Sequence, residues 1–254
     1  MTLLIYDGSM EGFLSVVFHV YEYKLADVQV RTASASQDNL FGQTIIVSSD
    51  PLKAERVWKG LNEKLSTNGV QQFYRSFLSE FPGLEDKLLQ YCRYVFSSTK
   101  QVDSDFTNPC VLLVNQLSKK VYREKHRMEA FVRFQLTADN IYYAVIEPDF
   151  NVLPLISKHF RDRYADQQWI IYDSKRKYAL YYDLNIVSSV EIDFNERVSE
   201  SHINTVTHQD EGLYQRLWQR YFQSVNIEAR KNLKLHIRHM PKRYWRKLTE
   251  KQMP

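Results

Sequence analysis

The stretch Lys125-His126-Arg127-Met128-Glu129-Ala130-Phe131-Val132-Arg133-Phe134 changes from helical to strand periodicity within a few residues. From Met128 to Leu136 every second residue is apolar, which is the period of a half-buried strand. Asp139-Asn140 is typical of a tight turn, and a second strand is expected from Ile141 to Glu147. The stretch therefore predicts a hairpin that carries Arg133 on the face opposite the alternating apolar set.

Further elements follow this hairpin in a regular order. Apolar residues at helical spacing predict a short helix over 155–164, and alternating runs predict strands from Trp169 to Tyr172 and from Tyr178 to Tyr182. Another strand is expected from Val187 to Phe194. From Met128 the order is strand, strand, helix, strand, strand, so we predict an α+β fold with an antiparallel sheet packed against several helices. The turn between the two later strands carries three cations: Lys175, Arg176 and Lys177.

The N-terminal segment predicts a strand followed by a helix. Leu3 to Tyr6 is a short apolar run, and an apolar helix is expected after Ser9, whose hydroxyl can accept hydrogen bonds from the first turn. Asp7 is a candidate catalytic residue, because carboxylates at strand ends often face clefts, although a turn-forming aspartate is the structural alternative. Gly8 and Gly12 do not form a dinucleotide-binding fingerprint or a P-loop.

A helical segment is expected between this N-terminal strand–helix and the hairpin. Helical spacing predicts four helices, which begin at Asp50-Pro51, Val70, Leu84 and Pro109. The polar stretch from Ser97 to Asn108 is the best candidate boundary between domains. We therefore predict an N-terminal strand–helix plus helical segment over residues 1–100 and a C-terminal α+β domain over 109–254. The two could be separate or joined into one integrated unit.

Composition limits the classes of protein to which the chain can belong. Its 254 residues are 44% hydrophobic and 25% charged, which is typical of a folded domain rather than a disordered chain. No apolar run is long enough to cross a bilayer, and Asp7 follows the first apolar run too early for a signal peptide. Two cysteines, Cys92 and Cys110, are too few for a disulfide framework or an iron–sulfur cluster. We therefore expect a cytoplasmic protein without a membrane partner and without a cofactor.

Positive charge is concentrated at the C-terminal end. Residues 225–254 contain nine Lys or Arg and two Glu, a net charge of +7, whereas the whole chain carries +4. The remaining residues therefore sum to −3. A basic end on a near-neutral body favours a polyanion as partner, although a solvated surface helix is the simpler alternative.

This basic segment predicts one cationic helix and one aromatic-rich end. Arg230, Lys234 and Arg238 are spaced four apart, so a helix would place them on one stripe. The run from Pro241 to Lys247 then sets two aromatic residues among cations. The aromatic rings could stack on a base between phosphate contacts, or they could be anchored in the core beneath the cations. Both alternatives stay open.

Two sets of candidate functional residues follow from these patterns. Contacts to nucleic acid are expected from cationic side chains and from the aromatic residues among them: Lys125, Arg127, Arg133, Lys175, Arg176, Lys177, Arg230, Lys234, Arg238, Lys242, Arg243, Tyr244 and Trp245. Candidates for acid–base chemistry are the carboxylates and histidines Asp7, His126, Glu147, Asp149 and His159. His236 and His239 have a spacing that can bind zinc, but no third ligand is apparent, so no metal site is predicted.

Short motifs spread over nearly the whole chain carry a family resemblance. They are Tyr6-Asp7-Gly8-Ser9, Glu11-Gly12-Phe13, the run from His126 to Phe134, Glu147-Pro148-Asp149, His159-Phe160, Arg163-Tyr164-Ala165, Trp169-Ile170-Ile171-Tyr172-Asp173, Trp218-x-x-Tyr221, Ala229-Arg230 and Met240-Pro241-Lys242-Arg243-Tyr244-Trp245. In this order they resemble a bacterial family labelled DNA repair or DNA metabolism proteins. The C-terminal part of that family is a domain of unknown function, number 4130.

The resemblance implies a role in DNA metabolism or repair beside a partner protein. Members are similar to proteins found beside a radical-SAM, helix-hairpin-helix protein, and related domains occur fused to uracil-DNA glycosylase-like enzymes. This chain has no cysteine triad for a radical-SAM cluster and no glycosylase signature. The resemblance therefore implies an accessory or DNA-handling component whose partner supplies the chemistry, and it assigns no catalytic residue.

Three hypotheses about function remain at the level of the sequence. The first is a nucleic-acid-binding protein that recognises DNA mainly through phosphates. The second is an enzyme that acts on nucleic acid with Asp, Glu and His side chains, and it requires those side chains to converge in one pocket beside the cations. The third is a protein-docking module without DNA contact, which predicts an exposed apolar patch.

Overall fold

The computed structural model describes residues 1–33, 43–137, 140–191, 237 and 240–251. The α+β class is confirmed, because helices and strands occupy largely separate stretches of these residues and the strands form two sheets. The chain divides into two compact units, Met1–Tyr122 and Arg123–Pro254, which we call unit 1 and unit 2. No helix in the described part of the chain combines the length and apolar character needed to cross a membrane.

Unit 1 contains a small parallel sheet and a set of helices. Its elements are β1 (Thr2–Tyr6), α1 (Met10–Glu22), β2 (Val28–Thr32), β3 (Gln43–Ile46), α2 (Pro51–Lys64), α3 (Thr67–Phe77), α4 (Leu84–Ser97) and the first part of α5 (Pro109–Phe131). The strand order is β2-β1-β3, and β1 pairs in parallel with both neighbours. The central position of β1 follows from its apolar composition, since Leu3 and Leu4 are both buried.

The core of unit 1 is built from aromatic and aliphatic side chains of the helices. Phe13 of α1 and Phe73 of α3 are fully buried, and their ring centroids are 6.4 Å apart. Tyr91 of α4 stacks on Phe73 at 5.9 Å. Cys92 follows Tyr91 in the chain and is fully buried, and burial raises the pKa of its thiol. This thiol therefore belongs to the core, as its helical position predicts.

Two side chains cap helices of unit 1, and the first of them, Ser9, confirms a prediction from the sequence. Ser9 Oγ accepts a hydrogen bond of 2.9 Å from the N–H of Gly12 at the start of α1. Asp50 Oδ1 accepts from the N–H groups of Leu52 and Lys53 at 3.0 and 3.2 Å. Each cap satisfies backbone donors that the first helical turn leaves without intrahelical partners.

Replacing Gly12 by alanine is expected to destabilise unit 1 by about 1–3 kcal/mol. An added Cβ would overlap Asp7 Oδ1 and lie 2.7 Å from Ser49 Oγ, so two hydrogen-bonded side chains would have to move. Gly60→Ala is the matched control, because its Cβ first meets the ring of Phe96 at 3.1 Å and that ring can shift. Urea unfolding of both variants measures the difference. A Gly12→Ala protein as stable as the wild type would contradict this packing.

Unit 2 contains the end of α5 and a five-stranded sheet. Its elements are β4 (Gln135–Leu136), β5 (Tyr142–Ile146), α6 (Leu153–Arg163), β6 (Trp169–Asp173), β7 (Tyr178–Tyr182), β8 (Val187–Glu191) and two short 3-10 helices, Lys242–Lys247 and Thr249–Lys251. The sheet order is β4-β5-β6-β7-β8. The helices expected near residues 210–222 and 226–240 lie almost wholly outside the described residues.

The strand expected from Met128 is wrong, because α5 continues to Phe131 and β4 contains only Gln135 and Leu136. Glu124 and Met128 lie four residues apart and are both buried, which is the spacing of one helix face. Lys125 and Glu129, also four apart, form an ion pair of 2.6 Å. The first residues of the alternating set therefore belong to a helix. An alternation of apolar residues over so few positions is compatible with a helix as well as with a strand.

The sheet of unit 2 is mixed, whereas a wholly antiparallel sheet was expected. The pairs β4–β5, β6–β7 and β7–β8 are antiparallel, but β5 and β6 are parallel over five residues. The difference arises from α6, which connects β5 to β6 and returns the chain to the end at which β5 began. A strand–helix–strand order is typical of a parallel pair, so this feature could have been read from the predicted elements.

The aromatic core of unit 2 surrounds Trp169. Its side chain is 0% exposed and packs against Phe134, Phe160 and Tyr182 with ring centroids 6.4, 6.2 and 5.5 Å away. Phe160 belongs to α6, and Tyr182 belongs to the neighbouring strand β7. This cluster joins α6 to the centre of the sheet and so fixes the loop that follows β5.

Candidate nucleic-acid interface

Three cationic side chains converge on Asp149, in the loop between β5 and α6. Arg243 Nη2 lies 2.9 Å from Asp149 Oδ2. Lys175 Nζ and Arg176 Nη2 donate to the backbone carbonyl of Asp149 at 3.2 and 3.1 Å. We call these three cations, with their sequence neighbours Lys177 and Lys242, the Asp149 patch. Two segments that are distant in the sequence therefore present cations at one place.

A buried aspartate fixes the conformation of the turn between β6 and β7. Asp173 is 0% exposed, and its Oδ1 accepts from the N–H groups of Lys175 and Arg176 at 2.9 and 3.2 Å. Its Oδ2 accepts from Arg176 Nη1 at 2.9 Å. The N–H of Lys177, a residue with φ of 59°, donates to the Asp173 carbonyl at 2.8 Å. Burial raises the pKa of Asp173, and Arg176 opposes that effect.

A second buried carboxylate positions Arg243. Glu124 on α5 is 1% exposed, and its Oε2 accepts hydrogen bonds from Arg243 Nη2 at 2.9 Å and from the hydroxyl of Tyr244. Its Oε1 accepts from the N–H of Asp149 at 3.0 Å. Partial burial alone would lower the pKa of Arg243, but Glu124 and the other partners raise it above its ordinary value. Arg243 is therefore a permanent cation held beside Asp149.

The two aromatic residues of the C-terminal segment have different environments. Tyr244 is 5% exposed and packs on Phe131, with ring centroids 5.6 Å apart, so it is anchored in the core. Trp245 is half-buried, and its Nε1 donates to the Met240 carbonyl at 3.0 Å. The ammonium groups of Lys242 and Lys251 lie 5.9 and 5.0 Å from the Trp245 ring. Both cations therefore lie beside the ring on which a base would stack.

Three other cations proposed for nucleic acid contact carboxylates within unit 2. Arg133 binds Glu250 through two hydrogen bonds of 2.8 and 3.2 Å, and the Glu250 side chain is 0% exposed. Arg127 lies 3.7 Å from Glu124, and Lys125 forms the ion pair within α5 described above. Of the remaining predicted contacts, Arg230, Lys234 and Arg238 lie outside the described residues.

Among the candidate catalytic residues, the two histidines share one carboxylate partner. Asp7 lies at the end of β1 in unit 1. In unit 2, His126 Nδ1 and His159 Nδ1 lie 3.9 and 3.7 Å from the carboxylate of Glu129. Asp149 belongs to the patch of cations, and Glu147 is exposed just beyond β5. Within the described ranges, no group of three or more His, Cys, Asp or Glu side chains is arranged to hold a metal ion.

The residues that sequence reasoning missed are buried carboxylates. Asp173 could have been found, because an aspartate that ends a strand before a polar turn commonly accepts hydrogen bonds from that turn. Glu124 and Glu250 have no comparable signal, since their partners Arg243 and Arg133 are more than a hundred residues away in the sequence. Pairing across such distances depends on the tertiary fold.

Comparisons with known proteins give a family match and distant structural likenesses. The profile of the domain of unknown function DUF4130 matches residues 82–250, which confirms that part of the resemblance. No curated protein matches the sequence. Among solved structures, the chain is similar to a pGpG-specific phosphodiesterase, PggH, from Vibrio cholerae. The identity is 7%, the match covers 89% of this chain and 99% of that chain, and the TM-score of 0.34 supports no functional argument.

Proposed function

We propose that this chain, which belongs to the DUF4130 family, binds nucleic acid through its phosphate groups. The observation that carries the proposal is the convergence of Lys175, Arg176 and Arg243 on Asp149. Phosphate contacts supply the sequence-independent part of binding to nucleic acid, and Lys and Arg are the side chains that make them.

The cations of the Asp149 patch are positioned before any ligand arrives. Asp173 holds the turn that carries Lys175 and Arg176, while Glu124 holds Arg243. Fixed side chains lose less conformational entropy when they bind, so a given number of phosphate contacts yields a higher affinity. The buried carboxylates therefore support binding without contacting the ligand.

The local charge favours an anion despite these carboxylates. Four positive side chains, Arg127, Lys175, Arg176 and Arg243, contact the three negative residues Glu124, Asp149 and Asp173. Lys175, Lys177 and Lys242 are exposed. Arg243 contacts Glu124, Tyr244 and Asp149 through Nη2. Its other two guanidinium nitrogens, Nε and Nη1, take no part in these three contacts. A phosphate can be added to this arrangement while the internal contacts persist.

A polymer fits the distribution of charge better than a small phosphorylated ligand. The cations lie on a hairpin turn and on a C-terminal segment that carries a net charge of +7 over residues 225–254. The consecutive phosphates of a nucleic acid backbone would neutralise several of these cations at once. We assign the nucleic acid to DNA metabolism or repair on the resemblance alone. On the same basis, we propose a radical-SAM or glycosylase-type protein as the partner that supplies chemistry.

A titration of fluorescent DNA with the purified chain tests the proposal. Binding is expected at low salt for an oligonucleotide of about 20 nucleotides, and its affinity should fall steeply as salt rises, because neutralised phosphates release counterions. Single-stranded and duplex forms should be titrated side by side. A chain that binds neither form at low salt would refute the proposed function.

A further inference from the structure

The carboxyl ends of β1 and β3 lie side by side in the parallel sheet of unit 1. β1 is central, the chain passes through α1 to β2 on one side, and then crosses to β3 on the other side. The helix that follows β1, α1, and the helix that follows β3, α2, pack against each other and share one core. The loops after β1 and β3 therefore meet beside the first turns of these two helices.

Polar side chains converge at this edge of the sheet. Asp7 follows β1, and its two carboxylate oxygens accept hydrogen bonds of 2.7 Å from the hydroxyls of Ser9 and Ser49. Partial burial would raise the pKa of Asp7, but the hydrogen bonds from Ser49 and Ser9 outweigh it and hold this pKa below its ordinary value. Gly12 allows the first turn of α1 to approach both Asp7 and Ser49. The edge is therefore a rigid, ionised and hydroxyl-rich surface.

A cavity of about 390 Å³ opens beside these residues, within the range of about 300–1,000 Å³ found for small-molecule sites. β3 supplies the exposed side chain of Ile46 to its lining, and the loop that follows supplies Ser48 and Ser49. α1 supplies His19, and α2 supplies Lys53. Ser49 joins the cavity to Asp7. The lining thus combines hydroxyl groups, one imidazole and one apolar surface.

The charges around the cavity disfavour an anionic ligand. Lys53 is the cation of the lining, and its Nζ is already paired with Glu22 Oε2 at 2.9 Å. Asp50 and Asp7 add negative charge on the same side. Burial lowers the pKa of His19, an effect that Glu22 opposes and Lys53 reinforces, and this shift favours the neutral imidazole. A phosphate group would meet the negative charges of Asp50 and Asp7 here.

We propose that unit 1 binds an uncharged ligand of the nucleoside class in this cavity. The sugar hydroxyls would hydrogen-bond to Ser48, Ser49 and the neutral imidazole of His19, and the base would lie against the apolar side of Ile46. The cavity lies outside residues 82–250, which the family profile covers, and outside the Asp149 patch. This site is therefore independent of the proposed binding of nucleic acid by unit 2.

Isothermal titration of the full chain with adenosine, guanosine, cytidine and uridine, and with their 5′-monophosphates, tests this site. At least one nucleoside is expected to bind, and its 5′-monophosphate should bind at least about tenfold more weakly because of the carboxylates. Failure of all four nucleosides to bind at millimolar concentration would overturn the proposal. Tighter binding of the monophosphates would overturn it as well.

A pair of phenylalanine variants shows whether the ligand occupies the cavity. Ser48→Phe places a ring in the lining at an exposed position and should weaken nucleoside binding at least about tenfold. Ser104→Phe makes the same change at an exposed position of unit 1 that does not line the cavity, and it should leave binding unchanged. Both variants should melt at the wild-type temperature and keep the DNA affinity of the wild type. Wild-type nucleoside affinity in Ser48→Phe would place the ligand elsewhere and refute the site.

Discussion

Replacing Arg133 by methionine is expected to destabilise unit 2 by about 3–5 kcal/mol. Arg133 Nε and Nη2 hold both carboxylate oxygens of Glu250, whose side chain is 0% exposed. Methionine retains most of the apolar stem but leaves the negative charge of Glu250 buried without its bidentate partner. The loss therefore comes from a buried charge that loses its bidentate partner and not from a cavity.

Lys158→Met is the matched control for this variant, because it also removes one cation but acts at an exposed position of α6. It should change the free energy of unfolding by less than about 0.5 kcal/mol. Urea unfolding followed by far-UV circular dichroism measures both variants. If Arg133→Met kept the wild-type stability but bound DNA with a shallower salt dependence, Arg133 would be a phosphate ligand and its role in the fold would be wrong.

Replacing Trp169 by alanine is expected to cost about 3–5 kcal/mol of stability. The side chain is fully buried, and its removal opens a cavity between α6 and the sheet, where Phe134, Phe160 and Tyr182 all lose a ring contact. The β5–α6 loop that carries Asp149 depends on this packing. DNA affinity should therefore fall together with stability in this variant.

Trp169→Phe separates the loss of the aromatic ring from the loss of the indole N–H. Among the described residues, no acceptor forms a hydrogen bond with the buried Trp169 Nε1. Replacing the indole by phenylalanine therefore removes no hydrogen bond to these residues. It should cost clearly less than alanine in the same urea titration. Equal losses for the two substitutions would mean that the aromatic cluster does not determine the stability of unit 2.

Local patterns in the sequence predicted the elements that depend on neighbouring residues. The caps at Ser9 and Asp50 follow from side chains that reach only two or three residues along the chain. The strands around the turn from Asp173 to Lys177 follow from alternating apolar residues on both sides of a polar run. Such signals are complete within a short window, so periodicity and capping chemistry suffice to read them.

Features that depend on distant residues could not be read in the same way. The alternating residues after Met128 fit a strand locally, but burial of Glu124 and Met128 on one face keeps this stretch helical to Phe131. The sequence also does not show which cations pair with buried carboxylates and which face the solvent. Arg133 and Lys177 have the same charge in the sequence, and only the position of Glu250 in the fold distinguishes them.

The salt dependence of DNA affinity tests most directly the claim that the Asp149 patch binds phosphates. The variant Lys175→Gln/Lys177→Gln/Lys242→Gln removes three exposed cations of the patch, and Lys59→Gln/Lys87→Gln/Lys100→Gln removes the same charge from exposed positions of unit 1. The slope of log affinity against log salt for duplex DNA should become shallower by about 0.9 per lost contact, so by about 2.7 in the patch variant. The control variant should keep the wild-type slope, and both should melt at the wild-type temperature. Equal slopes in the wild type and the patch variant would contradict the claim.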